Sequence, residues 1–244
     1  MFITAISLYR DTYNFIIQKM NSIIIIAFLS SIISTIINYG IILNIYTISN
    51  LYTHYNTNNI FELINIIPLE QKIILIKISI LKTISYLISN TSFIGLLIIF
   101  ISIISNHNRI NIVLSIKKMF SIFLHLFSLL FILSVIIQLG FIFFILPGII
   151  GLILLSLSPI ILIIERKTII DSMYSSILLT KEKIYILAPA IIIWILGKLT
   201  ISMLLITIFY IFPEFISFLL QNTINNCIFS ILIVYLYRFY MLTR

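Results

Sequence analysis

The chain has one cysteine, Cys227, so no internal disulfide can form, and a lone buried thiol is ordinarily a small core hydrophobe. Its three histidines, His54, His107 and His125, lie far apart with no Cys or Asp at metal-ligand spacing, which leaves no metal centre to assemble. Charged residues make up 9% of the sequence, against roughly a quarter in a soluble domain. The acidic ones (Asp11, Glu62, Glu70, Glu165, Asp171, Glu182 and Glu214) all fall at the ends of apolar runs or outside them. That removes a carboxylate pair for acid–base chemistry and an intramembrane carboxylate relay for protons or sodium. With no activated nucleophile either, the sequence reads as non-enzymatic, with no catalytic residue, metal or cofactor.

What is present is apolar. Hydrophobic residues make up 61% of the chain, and its mean hydropathy is +1.24. Such a chain cannot cover its own surface with polar groups, so lipid is its solvent. The favoured Ile, Asn, Tyr, Phe and Lys have A/T-rich codons. Tracts such as "NIYTISNLYTHYNTNN" (44–59) therefore read as codon drift in a solvated loop. The net charge of +8 could suggest nucleic acid, but the cations flank apolar stretches, which is the pattern of membrane orientation. Neither nucleic acid nor a soluble substrate is indicated.

A bilayer core about 30 Å thick needs about 20 apolar residues per helix. Runs of that length occur at 22–43, 84–105, 186–210 and 215–237. The uncharged stretch 119–164 would be roughly 69 Å long as one helix, more than twice the core, so it must fold back. Gly140 and Pro147-Gly148 punctuate it and place spans at 119–139 and 147–164, with Pro147 and Gly148 as candidate hinge. The expected fold is all-α: one membrane domain over 1–244, a polytopic bundle of six transmembrane helices plus two interfacial amphipathic helices.

Orientation follows from Lys and Arg. With six spans, eleven cations (Arg10, Lys19, Arg109, Lys117, Lys118, Arg166, Lys167, Lys181, Lys183, Arg238, Arg244) share one side, and only Lys72, Lys77 and Lys82 take the other. The positive-inside rule then puts both termini in the cytoplasm. The first apolar run is too long for a leader and lacks a cleavage site. Before it, over 1–21, Ile6, Tyr9, Tyr13, Ile16, Ile17 and Met20 recur at helical spacing opposite Arg10, Asp11, Asn14 and Gln18, as in a helix lying on the membrane surface. A second such helix is expected in 165–185. It is capped by Thr168 and Asp171, with Ile169/Ile170, Met173/Tyr174 and Ile177/Leu178 on one face and Ser172, Ser175, Ser176 and Thr180 turned away. That helix is an interfacial connector or a docking face for a partner. The segment 44–83 reads as a periplasmic loop, with Pro68 and Glu70 marking a helix start that can run into the second span.

Several stretches together carry a resemblance. "ISLYRDTYNF" (6–15), "QLGFIFFILPGIIGLILLSLSPIIL" (138–162), "SMYSSILLT" (172–180), "LAPAIIIWILGK" (187–198) and "YLYRFYMLTR" (235–244) are similar, in order and spacing, to the YciC family. The tract 44–60 shows no such likeness. The resemblance implies a six-span inner-membrane protein of Gram-negative bacteria; the family brings no established reaction, substrate or catalytic residue.

One residue stands against the pattern. Lys198 lies in the middle of "IIIWILGKLTISMLLI" (191–206), about 15 Å from either interface, beyond the reach of a lysine stem of about 6 Å. Lysine at a helix centre costs roughly 2.5–3.5 kcal/mol, and no neighbouring span offers a carboxylate. Two arrangements satisfy it. The amine is neutral and bonded to Gln138, Ser156, Ser158 or tyrosine hydroxyls, or it lines a crevice and meets a phosphate headgroup or an anionic substrate. Trp194 lies one turn earlier, and Gly197 should let a neighbouring helix approach, so this face is expected to point inward. Lys198, Gln138 and His125 are the candidate intramembrane functional residues; Arg10, Asp11 and Trp194 are candidate lipid or interface contacts, Arg10 and Asp11 alternatively pairing with each other. The functional expectation is a non-catalytic inner-membrane component, in envelope homeostasis or membrane assembly, whose partners are the lipid bilayer and other envelope proteins. The alternative is a transporter or flippase for a lipid-like or anionic small molecule with Lys198 in its path, although the two halves show no inverted repeat.

Overall fold

The computed structural model describes residues 5–42, 69–105, 112–209 and 211–243. They form eight helices: α1 (Ala5–Ile42), α2 (Leu69–Ser105), α3 (Ile112–Phe143), α4 (Ile145–Leu154), α5 (Ser158–Glu165), α6 (Ile169–Glu182), α7 (Ile184–Phe209) and α8 (Glu214–Thr243). Six stretches are long and apolar enough to cross a membrane, α4 and α5 counting together as one. The architecture is an all-α polytopic bundle. Helix α2 is its axis: every residue from 91 to 101 is buried. It packs on α1, α3 and α8, while α1 and α8 share the most extensive interface. Helix α2 also begins fifteen residues inside the expected loop 44–83, because 69–83 is helical and continuous with the second span. The remainder of that loop, including 44–60, lies outside the described residues.

Helix α1 bends at Lys19 (φ −117°, ψ 15°), where the surface segment turns into the span. That segment has two apolar faces. Ile6, Tyr13, Ile17 and Met20 are exposed, while Leu8, Thr12 and Phe15, on the opposite face, are buried in the bundle. One flank suits a lipid interface and the other holds the protein, with Arg10, Asp11, Asn14 and Gln18 exposed between them.

The same geometry corrects the expectation for α6. Its cap is as expected: Thr168 Oγ1 accepts from the Asp171 N–H at 3.2 Å. Its expected apolar face is split and its hydroxyl face turned inward. Ser172, Ser176 and Thr180 are fully buried and Ile169, Met173 and Ile177 pack partly buried against the core, whereas Ile170, Tyr174 and Leu178 are exposed. Small hydroxyl side chains let helix backbones approach closely, and Ser172 and Ser176 donate to the carbonyls of Thr168 and Leu154. Apolar side chains next to lipid need no protein cover.

Ser176 meets a particular need. Pro159 has no N–H and crowds the preceding turn, so the fourth span breaks between α4 and α5. The Ser158 N–H bonds Leu155 O instead of Leu154 O, and Ser176 Oγ donates to the freed Leu154 carbonyl at 2.7 Å. Ser176→Ala leaves that carbonyl without its partner and is expected to cost about 1–3 kcal/mol. The measurement is thermal unfolding of the purified protein in detergent, and a midpoint equal to wild type would exclude this role.

Sequence reading also passed over a polar seam. "QNTINN" (221–226) in α8 faces the serines of α1: Asn226 Nδ2 donates to Ser30 Oγ at 3.0 Å, and Thr223 and Ser31 share a hydroxyl bond of 2.6 Å. On another face of α8, Asn225 Oδ1 accepts from Ser202 of α7 at 3.2 Å. Polar groups at this depth are satisfied between helices and so fix the register of α1, α7 and α8.

Candidate functional site

Helices α3 and α7 and the α4–α5 break enclose, against α2 and α8, a cavity of about 320 Å³. Its walls are mostly aliphatic and aromatic. Four polar groups interrupt them in the interior: Asn90 of α2, Ser134 of α3, Ser156 at the break and Lys198 of α7. A long apolar helix brings Lys198 here because its neighbour one turn back, Trp194, is anchored. Trp194 Nε1 donates to Ile228 O at 3.1 Å, and its ring meets Phe229 with centroids 5.1 Å apart. The Lys198 Nζ then lies 5.2 Å from the Trp194 ring and 5.8 Å from that of Phe229. A desolvated cation gains about 2 kcal/mol from such faces, less than its cost of insertion.

The described residues provide no counter-ion. Among the described residues Lys198 makes no hydrogen bond or ion pair, no carboxylate lines the cavity, and the Asn90 amide is also without a partner. Ser134 and Ser156 turn their hydroxyls to the carbonyls of Phe131 and Ile153, which leaves their acceptor lone pairs free. The arrangement suits an apolar body with an anionic or strongly polar group placed at Lys198. Among the described residues there is no cluster of His, Cys, Asp and Glu that could hold a metal ion.

The sequence candidates do not converge here. Gln138 is exposed on α3 and outside this cavity, so it cannot be the lysine's partner. His125, also exposed, lines a different cleft with Ser121, Leu162, Arg166 and Lys167. Ser156 lies in the wall beside Lys198's cavity, whereas the buried Ser158 hydroxyl has no partner among the described residues. Trp194 faces α8 rather than lipid, since its N–H needs the Ile228 carbonyl. A Cβ at Gly197 would meet nothing within 4 Å, so no helix approaches there; Trp194 and Lys198 occupy the groove instead. Arg10 and Asp11 are exposed and, among the described residues, form no ion pair with each other.

Pro147 and Gly148 are not the hinge residues. The turn is the extended Phe144 (φ −158°, ψ 154°), and both residues sit in the first turn of α4. Gly148 is there because α3 and α4 cross at Gly140: a Cβ at Gly140 would stand 2.9 Å from the Gly148 Cα. The site residues missed from sequence are Asn90, Ser134 and Phe229. Asn90, in "LISNTSF", carried a signal, being a carboxamide inside an apolar run.

A family model described as "Uncharacterised protein family (UPF0259)" matches residues 1–242. The chain is 37% identical over 244 residues to a UPF0259 membrane protein of Buchnera aphidicola subsp. Baizongia pistaciae, covering 99% of this chain and 97% of that one. It is 34% identical over 250 residues to a UPF0259 membrane protein of Yersinia pestis strain Pestoides F, covering 99% and 96%. No solved structure matches.

Proposed function

The chain belongs to the UPF0259 family of membrane proteins, commonly called YciC, and on that premise we propose that it is a non-catalytic component of envelope homeostasis or membrane assembly. It acts by holding a lipid-like molecule with an anionic head in the Lys198 cavity. The observation that carries this reading is a lysine at mid-span, in a largely apolar cavity, with aromatic faces beside it and no counter-ion among the described residues. The eleven-to-three distribution of cations supports an inner-membrane position with both termini cytoplasmic. Lipid, and other envelope proteins, are the partners this reading requires.

A second reading, transport or flipping of such a molecule, draws on the α4–α5 break. Discontinuous helices at mid-membrane, with binding groups beside them, are a feature of transporters, and Leu155, Ser156 and Pro159 at the break line this cavity. Trp194, the only tryptophan, stands in the cavity wall and reports on occupancy. In detergent micelles doped with brominated phosphatidylglycerol, its fluorescence is expected to be quenched saturably. Quenching that follows bromine mole fraction alone, equally with brominated phosphatidylcholine, would exclude an anion-selective cavity. In reconstituted vesicles, protein-dependent translocation of a fluorescent phospholipid supports flipping, and saturable occupancy without translocation supports holding.

A further inference from the structure

A second pair of clefts lies between α3 and α5, around Arg166. One, of about 270 Å³, is lined by His125, Ser121 and Lys167; the other, of about 230 Å³, by Lys118 and Ser102; Ser121, Ile122 and Arg166 belong to both. They therefore form one groove with Arg166 at its centre, cationic along its polar rim and floored by Leu162 on one side and Ile163 on the other. The groove lies at the end of the bundle where α8 finishes, since Tyr240 donates to the Glu165 carboxylate.

The backbone marks Arg166 independently. Among the described residues it is the only non-glycine with positive φ (54°), at the end of α5, where helices ordinarily place glycine. A side chain in the left-handed region costs stability, so an arginine kept there calls for a role in its guanidinium. The carboxylate next to it in sequence does not satisfy it. Glu165 is engaged by Lys167 at 2.7 Å and by Tyr240, whereas Arg166 makes no hydrogen bond or ion pair among the described residues.

We infer that the Arg166 groove is a binding site for the phosphate of an anionic phospholipid. The headgroup is held by Arg166 and Lys118 with Ser121 between them, and its chains lie along Ile122 and Leu162. Arginine suits this task because its planar fork meets two phosphate oxygens at once. This site is separate from the Lys198 cavity and stands whether or not that cavity holds a lipid.

The test is native mass spectrometry of the full chain in detergent, with added phosphatidylglycerol, phosphatidylcholine or inorganic phosphate. Wild type should retain phosphatidylglycerol at least about tenfold better than phosphatidylcholine: both offer the phosphate, but the choline cation of the second is repelled by Lys118, Arg166 and Lys167. Arg166→Gln and Lys118→Gln should each lower retention at least fivefold, while Lys181→Gln, which removes an exposed cation of α6 outside the groove, should not. Arg166→Gly should lose retention while raising the melting temperature by about 2 °C, because glycine adopts the left-handed turn freely. Equal losses in Lys181→Gln and Arg166→Gln would overturn the inference, reducing the groove to general surface charge. So would undiminished retention in the Arg166 variants, or displacement of the lipid by millimolar phosphate, which would assign the groove to a soluble phosphate.

Discussion

Gly140→Ala should be among the most destabilising single-methyl additions in this chain, costing about 3 kcal/mol, the upper range for overpacking. The added Cβ would lie 2.9 Å from the Gly148 Cα and 3.0 Å from its nitrogen. Both are backbone atoms of the facing helix, so relief requires moving α4 as a body. Because α3 and α4 are joined by the single residue Phe144, that motion has little slack. Gly148→Ala is a graded comparison. Its Cβ would come within 2.6 Å of Phe141 Cγ and Cδ1, and since turning the ring about its own axis leaves Cγ in place, the whole side chain must swing; Phe141 is on the surface and can do so, so about 2 kcal/mol is expected. Gly197→Ala should be neutral or slightly stabilising, since its Cβ meets open space and alanine favours helix. Thermal unfolding in detergent, or limited proteolysis of membranes, gives the order. Equal midpoints for the Gly140 and Gly197 variants would show that the α3–α4 crossing does not hold the hairpin.

The spans were legible because span length is set by bilayer thickness, and composition alone reports it. The fold-back at 140–148 was legible from Gly140, but its pivot was not: Phe144 is extended without a Gly or Pro of its own, and the break in the fourth span comes from Pro159, which reads as part of the same apolar run. Helix faces were less legible for one reason. In water, the apolar face of a helix is the buried one. Here α6 buries Ser172, Ser176 and Thr180 and leaves Ile170, Tyr174 and Leu178 outside, because lipid makes apolar exposure cheap and small residues make close packing possible. In α1 the exposed apolar residues Ile6, Tyr13, Ile17 and Met20 drew attention from the buried face of Leu8, Thr12 and Phe15. At the site, Lys198 was legible as a charge where none belongs, but Gln138 and His125 could not be assigned to it from spacing. Whether a residue of α3 faces α7 depends on the rotation of α3, and the polar residues in its membrane-spanning part, His125, Ser128, Ser134 and Gln138, do not share one face that would fix that angle.

The second large effect is expected at Lys198, and it separates two meanings of an intramembrane charge. If the lysine is a packing element, replacing it with methionine should lower the amount of folded protein. If it is held for a ligand, Lys198→Met should leave the protein as stable as wild type or more so, since it removes a centre-of-helix cation costing roughly 2.5–3.5 kcal/mol on insertion. None of the described residues would be stranded, because among them Lys198 has no hydrogen-bond or ion-pair partner, and Trp194 keeps its bond to Ile228. The same change should weaken saturable binding of brominated phosphatidylglycerol at least about thirtyfold, as losing one buried charge contact costs 2 kcal/mol or more. Lys198→Arg retains the charge and should bind within about threefold of wild type, because guanidinium also stacks on the Trp194 and Phe229 faces. Folded protein, melting temperature and Trp194 quenching should be read on the same preparations. The charge would have no ligand to hold if the methionine variant bound as wild type does; it would be structural if that variant failed to accumulate while the arginine variant accumulated normally.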